Sequence, residues 1–168
     1  MVYTTAFSPS QLSAAPATEW VARTTEALDR LSVDDKLTLL WELYTEMGRS
    51  VTPAAPGAAR LQLAEGLLAD IQAMSFDEQL QAMRDIAAKN STPVSRSYGV
   101  LGTNTKLAFW YRLSEWMDDG SVVPMPQGYK LSEAARNIFD AFVLKLDFSQ
   151  QITVMRNVVA KMGIDPLA

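Results

Sequence analysis

Residues 106–117 read KLAFWYRLSEWM, a run dense in aromatic rings for so short a segment. On a helical wheel Leu107, Trp110, Ser114 and Met117 fall at i, i+3, i+7 and i+10, which is one face. A second run, KLTLLWELYTEM at 36–47, aligns with it and keeps Lys, Leu, Leu and Met at matching places. There Leu37, Trp41, Tyr44 and Gly48 again share a face. Each stripe sets bulky rings beside one small residue, Ser114 or Gly48, which leaves space next to an aromatic wall. From periodicity alone, core is the favoured reading of both stripes. Two features point to a lined cavity instead. Trp and Tyr carry polar tips that need partners when buried. Met47, Met83, Met117 and Met155 add soft, polarisable surface suited to irregular contact.

The pairing extends outward. FDEQLQAMRDIAAK at 76–89 matches FSQQITVMRNVVAK at 148–161 at 6 of 14 positions, including Met83/Met155 and Arg84/Arg156. The two offsets, 106 − 36 = 70 and 148 − 76 = 72 residues, nearly agree. Two blocks repeating in one order predict two similar helical halves packed around a pseudo-twofold axis. A seam between such halves suits an elongated ligand. The boundaries read as helical. Ser32 and Ser75 precede Asp35 and Glu78 by three residues, the spacing of a capping box. Asn104 and Ser132 are candidate caps, and Gly48, Gly120 and Gly163 sit where helices stop. Loops are marked by PAAPGA (53–58), NSTP (90–93) and GSVVPMPQG (120–128). No strand-like pair flanks a hairpin turn. The expectation is an all-α protein of about seven to nine helices, with an N-terminal arm and first helix over 1–30 and a single helical domain over 19–165.

Composition removes several function classes. The 168 residues include no Cys and no His, so there is no disulfide, thiol nucleophile or imidazole base, nor the commonest metal ligand. A net charge of −4 without a Lys/Arg cluster argues against nucleic acid. No apolar run approaches the ~18 residues of a membrane span, and the N-terminus lacks the basic and apolar regions of an export signal. Asp34–Asp35 and Asp118–Asp119 lie at helix ends and read as caps or loop solvation rather than an acid–base dyad. Arg84 reads as a surface ion pair, of little energetic weight. No phosphate loop, nucleophile elbow or metal spacing is present, so no enzyme is expected. The residues alone leave open a carrier of a large apolar ligand, a module binding a partner helix through a Met/Trp surface, and an enzyme acting on an apolar substrate.

The runs WELYTEMGRSVTPAAPGAA, NTKLAFWYRLSEWMDDGSVVPMPQGYKLS and QQITVMRNVVAKMG resemble the N-terminal, carotenoid-binding domain of the orange carotenoid proteins of cyanobacteria. The likeness runs from about Leu31 to Gly163 and is nearest to the stand-alone helical carotenoid proteins. It implies two interleaved four-helix bundles with a keto-carotenoid, canthaxanthin or echinenone, held between them for photoprotection, without catalysis. The lining it implies is Leu37, Trp41, Tyr44 and Met83, then Leu107, Trp110, Tyr111, Ser114 and Met117, where a glycine is common at the place of Ser114. The other end would be Met125, Pro126, Tyr129 and Ile152, with Arg156 near a mouth. Val51, Leu61 and Met125 stand where other bulky residues are usual. The implied partners are a separate homologue of the family's second domain as pigment donor and the phycobilisome. The chain itself is expected to be monomeric and cytoplasmic.

Overall fold

The computed structural model describes residues 9–48 and 60–167, with side chains from Thr18 onward. The segment before Pro9, Val51 and the loop at 53–58 lie outside the described residues. Among those described are eight α-helices and one 3-10 turn, with no strand: α1 Pro9–Asp29, α2 Val33–Met47, the 3-10 turn Leu61–Leu63, α3 Glu65–Gln72, α4 Phe76–Ala88, α5 Pro93–Gly99, α6 Thr103–Asp119, α7 Glu133–Lys145 and α8 Phe148–Ala160.

The helix starts are set by side chains that satisfy otherwise orphaned N–H groups. Ser32, Ser75 and Ser132 accept from the N–H three residues on, at 3.2 Å each. At Ser75 the box is complete, because Glu78 reaches back to the Ser75 N–H at 3.1 Å. Asp147 and Gln150 form the same box at α8. At Ser32 only the forward bond is made. Asn104 is not a cap: the first helical bond of α6 runs from the Lys106 N–H to the Gly102 carbonyl at 2.9 Å, which places Asn104 inside the helix. Gly48 and Gly120 close α2 and α6 with positive φ, and Gly163 turns the chain after α8. The Asp118–Asp119 pair lies at the negative end of α6, where the dipole does not favour it. Asp119 instead accepts from the Ser121 N–H at 2.8 Å and shapes the following turn.

The helices sort into two interleaved groups. In one, α1 packs on α7 and α8, and α2 on α7; in the other, α3, α4 and α5 pack together and α6 meets the 3-10 turn. The groups cross where α2 lies on α4 and α6, and where α6 lies on α8. The core therefore runs along the α2–α6–α8 seam, with Leu39, Leu43, Phe109, Leu113, Val154 and Met155 almost fully buried.

Positions related by the repeat take the same roles. Met83 and Met155 are both buried, Ile86 and Val158 likewise, while Phe76 and Phe148 are both about half exposed at their helix starts. Gln79 on α4 donates to the Gln72 and Met74 carbonyls. Its counterpart Gln151 on α8 donates to those of Phe142 and Leu146. Each glutamine seals the open carbonyl end of the preceding helix, where four such groups lack partners.

Candidate functional site

Where α2, α4 and α6 cross, their packing is incomplete. A cavity of about 170 Å³ lies there, walled by Leu37, Leu40, Trp41 and Tyr44 of α2, Leu80 and Met83 of α4, and Trp110, Leu113, Ser114 and Met117 of α6. The chain from Val123 to Pro126, with Tyr129, covers its remaining side. Pro124 and Pro126 stiffen this cover. Gln79 anchors it, its Oε1 accepting from the Val123 N–H at 2.8 Å. Gln79 is 1% exposed, and it joins the cover to the end of α3. Substituting Gln79→Leu keeps the volume but leaves the Val123 N–H and two carbonyls without their partner. The expected loss is about 2 kcal/mol, read as a lower urea midpoint.

The rim is polar. The Arg84 guanidinium grips the Asp34 carboxylate through two bonds, Nε to Oδ1 at 2.8 Å and Nη2 to Oδ2 at 3.0 Å. This is the expected ion pair, but it also clasps α2 to α4 at the cavity edge. At the inner end, Tyr44 Oη donates to the Leu107 carbonyl at 2.7 Å. Trp110 Nε1 donates to Tyr98 Oη at 2.9 Å, and Tyr98 Oη donates to the Val159 carbonyl at 2.7 Å. Edge-on ring contacts of Tyr98 with Phe109 (5.2 Å) and Trp110 (6.1 Å) fill the rest. No residue of α8 is among those that line the cavity. Burial pushes the phenols of Tyr44 and Tyr98 well above their ordinary range, with the Trp110 bond offsetting part of this at Tyr98. A raised folded-state value means full stability below the unfolded value near 10 and loss as pH rises beyond it. Thermal melts should therefore fall steeply above about pH 10, less so in Tyr98→Phe after allowing for that variant's own lower melting point.

Ten of the fourteen residues expected at the site line this cavity: Leu37, Trp41, Tyr44, Met83, Trp110, Ser114, Met117, Met125, Pro126 and Tyr129. Leu107, Tyr111, Ile152 and Arg156 do not. Leu107 is buried, Tyr111 and Ile152 are half-buried and Arg156 is exposed. Their counterparts 70 or 72 residues earlier are Leu37, Trp41, Leu80 and Arg84, and all four line it. Sequence reasoning missed Asp34, Thr38, Leu40, Leu80, Arg84, Leu113, Val123 and Pro124 as lining. Leu40 and Leu80 are spaced with the stripes and could have been found by extending the wheel; Asp34 could not, because its place follows from pairing with a residue 50 positions away.

The chain matches the family described as the orange carotenoid protein N-terminal domain over residues 14–165. It belongs to that family. An orange carotenoid-binding domain-containing protein of Nostoc sp. (strain PCC 7120) is 64% identical over 148 residues, covering 88% of this chain and 86% of the relative. The orange carotenoid-binding protein of Synechocystis is 47% identical over 147 residues, covering 88% of this chain but 46% of the relative. Among solved structures, the red carotenoid protein of Anabaena (Nostoc) binding canthaxanthin superposes with a TM-score of 0.74 at 38% identity, covering 85% of this chain and 97% of that one. The orange carotenoid protein of the same organism, also binding canthaxanthin, gives a TM-score of 0.81 at 41% identity, covering 96% of this chain and 53% of that one. The chain therefore spans about half the length of the longer relatives. The described elements of this chain are all helical, and no described helix is long and apolar enough to cross a membrane.

Proposed function

We propose that this chain binds a keto-carotenoid, canthaxanthin or echinenone, and serves photoprotection without catalysis. The observation that carries this reading is the apolar, ring-sized cavity between Trp41, Tyr44 and Trp110. Its size is close to that of cavities that take up one benzene-sized guest, about 150 Å³. Its walls are indole, phenol and thioether groups, which fit a methylated six-membered ring by dispersion rather than by charge. Relatives whose structures hold canthaxanthin support the choice of pigment. When bound, such a pigment supplies low-lying excited states that accept energy from singlet oxygen and release it as heat.

The chain's own part is to bind, shield and tune. Stacked rings hold the end group in plane, and polarisable walls lower the excitation energy. At about −0.3 kcal/mol per heavy atom, roughly forty atoms give about −12 kcal/mol, near nanomolar affinity. The cavity takes only one end of so long a molecule. The rest requires the α6–α8 seam to part, with loss of the bond from Lys106 Nζ to the Ala160 carbonyl and of the link that runs from Trp110 through Tyr98 to the Val159 carbonyl. Leu107, Tyr111, Ile152 and Arg156 then receive the second ring at the place that the repeat assigns them. A pseudo-twofold axis between the halves explains why one site description fits both ends.

Pigment transfer from a separate homologue of the family's second domain, and docking of the loaded chain on the phycobilisome, belong to the same reading. So do the monomeric state and a place in the cytoplasm. The test is co-expression with a keto-carotenoid pathway, followed by measurement of singlet-oxygen phosphorescence lifetime with the purified product. The reading expects a coloured protein that shortens the lifetime. A protein that stays colourless, or that binds pigment without shortening the lifetime, contradicts the corresponding half of it.

A further inference from the structure

Eight lining side chains carry a polar or charged group, and six of them are satisfied within the protein. Asp34 and Arg84 hold each other, Thr38 donates to the Asp34 carbonyl at 2.8 Å, Tyr44 donates to Leu107, and Trp110 donates to Tyr98. Tyr129 Oη reaches Asp35 at 3.4 Å. Two are left. Trp41 Nε1 is sealed from solvent and has no acceptor. Ser114, only 7% exposed, makes no hydrogen bond to any described residue.

The serine is unlike the other helical hydroxyls. Thr25, Thr38, Thr45 and Thr153 each donate to the carbonyl four residues back, the usual refuge of a hydroxyl inside a helix. Ser114 leaves the corresponding carbonyl, that of Trp110, unused. Its Oγ is not among the atoms sealed off from open space, and the space that Ser114 borders is the cavity. An apolar chamber with one unanswered hydroxyl donor, on α6, is chemically matched by a guest that is apolar except for an acceptor oxygen. A carbonyl oxygen can accept from such a hydroxyl.

We propose that Ser114 selects the end of the carotenoid that enters this cavity: a ring bearing a carbonyl oxygen, in preference to an unsubstituted hydrocarbon ring. This rests on the carotenoid reading above and adds to it the residue that reads the end group. A hydrocarbon ring would leave the Ser114 hydroxyl buried and unpaired. A site built to hydrogen-bond an oxygen rejects the analogue lacking it more strongly than a greasy wall can reject an extra methylene.

The experiment loads wild type and Ser114→Ala in competition with an equimolar mixture of canthaxanthin, echinenone and β-carotene, then extracts and quantifies what each retains. Wild type is expected to favour canthaxanthin and echinenone over β-carotene by about tenfold, and Ser114→Ala to lose roughly fivefold of that preference. A second readout is the ring carbonyl stretch in the bound canthaxanthin. It should lie lower in wild type than in Ser114→Ala, a shift that packing changes alone do not give. An unchanged pigment ratio together with an unchanged carbonyl stretch overturns the assignment of Ser114, while the protein remains a carotenoid carrier. A wild type that retains none of the three pigments overturns the carotenoid reading itself.

Discussion

Replacing Trp110 by alanine is expected to abolish pigment retention and to cost about 3–5 kcal/mol of folding stability. The indole is 4% exposed and serves two sides at once. One face walls the cavity, while the ring meets Phe109 edge-on at 5.4 Å and Tyr98 at 6.1 Å. Removing it joins the cavity to the space left behind, and the enlarged void forfeits contacts with any guest. Tyr98 keeps its bond to the Val159 carbonyl, so the cost is chiefly lost packing and not a stranded phenol. Trp110→Phe separates the two functions. It retains a ring in the wall and gives up the donor to Tyr98, for a stability loss of about 1 kcal/mol. Trp116, half-buried on the same helix, does not line the cavity. Trp116→Ala should therefore retain pigment at the wild-type ratio. Urea unfolding and the ratio of visible to ultraviolet absorbance read both effects. Full pigment retention by Trp110→Ala would remove this wall from the account.

Pigment loading should raise the melting temperature by about 5–10 °C. A ligand that binds only the folded chain adds about 2.7 kcal/mol at a hundred times its dissociation constant, and a chain of this length gains about 2–4 °C per kcal/mol. The physical source is local. The cavity lining lacks neighbours on one side, and the Ser114 hydroxyl that borders it lacks a partner, so the empty state gives up both dispersion and hydrogen bonding. Calorimetry on loaded and pigment-free protein reads the difference directly. Equal melting temperatures contradict the proposal that this void is a binding site. The two predictions are linked, because Trp110→Ala should also erase the pigment-dependent rise.

How far the sequence carried these conclusions varies with the range of the interaction. Capping by Ser32, Ser75 and Ser132 and the stops at Gly48 and Gly120 were legible because they depend on residues within four positions. The stripes on α2 and α6 were legible for the same reason, and they placed Trp41, Tyr44, Trp110 and Ser114 on one cavity. The start of α6 was not, since Lys106 is held from afar: its Nζ donates to the Ala160 carbonyl at 3.2 Å and lies over the Tyr98 ring. The first helix also reaches back at least to Pro9, further than the small-residue composition of the N-terminal arm suggests. Leu107, Tyr111, Ile152 and Arg156 were expected along the slot and do not line this cavity. Periodicity gives a face but not the depth at which two helices touch, and the Tyr44–Leu107 bond that ties α2 to α6 spans 63 residues. The unanswered hydroxyl of Ser114 was likewise invisible, because a free donor is defined by the partners it does not meet.

The central claim is that the terminal ring of the pigment sits between Trp41 and Trp110. At 18.5 kDa the chain suits nuclear magnetic resonance, and the decisive measurement is the set of nuclear Overhauser contacts from the ring methyls of isotopically labelled canthaxanthin in the loaded protein. The account predicts contacts to the Trp41 and Trp110 indoles and to the Met83 and Met117 side chains. Contacts confined to Trp20, Trp116 or the exposed Phe76 and Phe148 would contradict it.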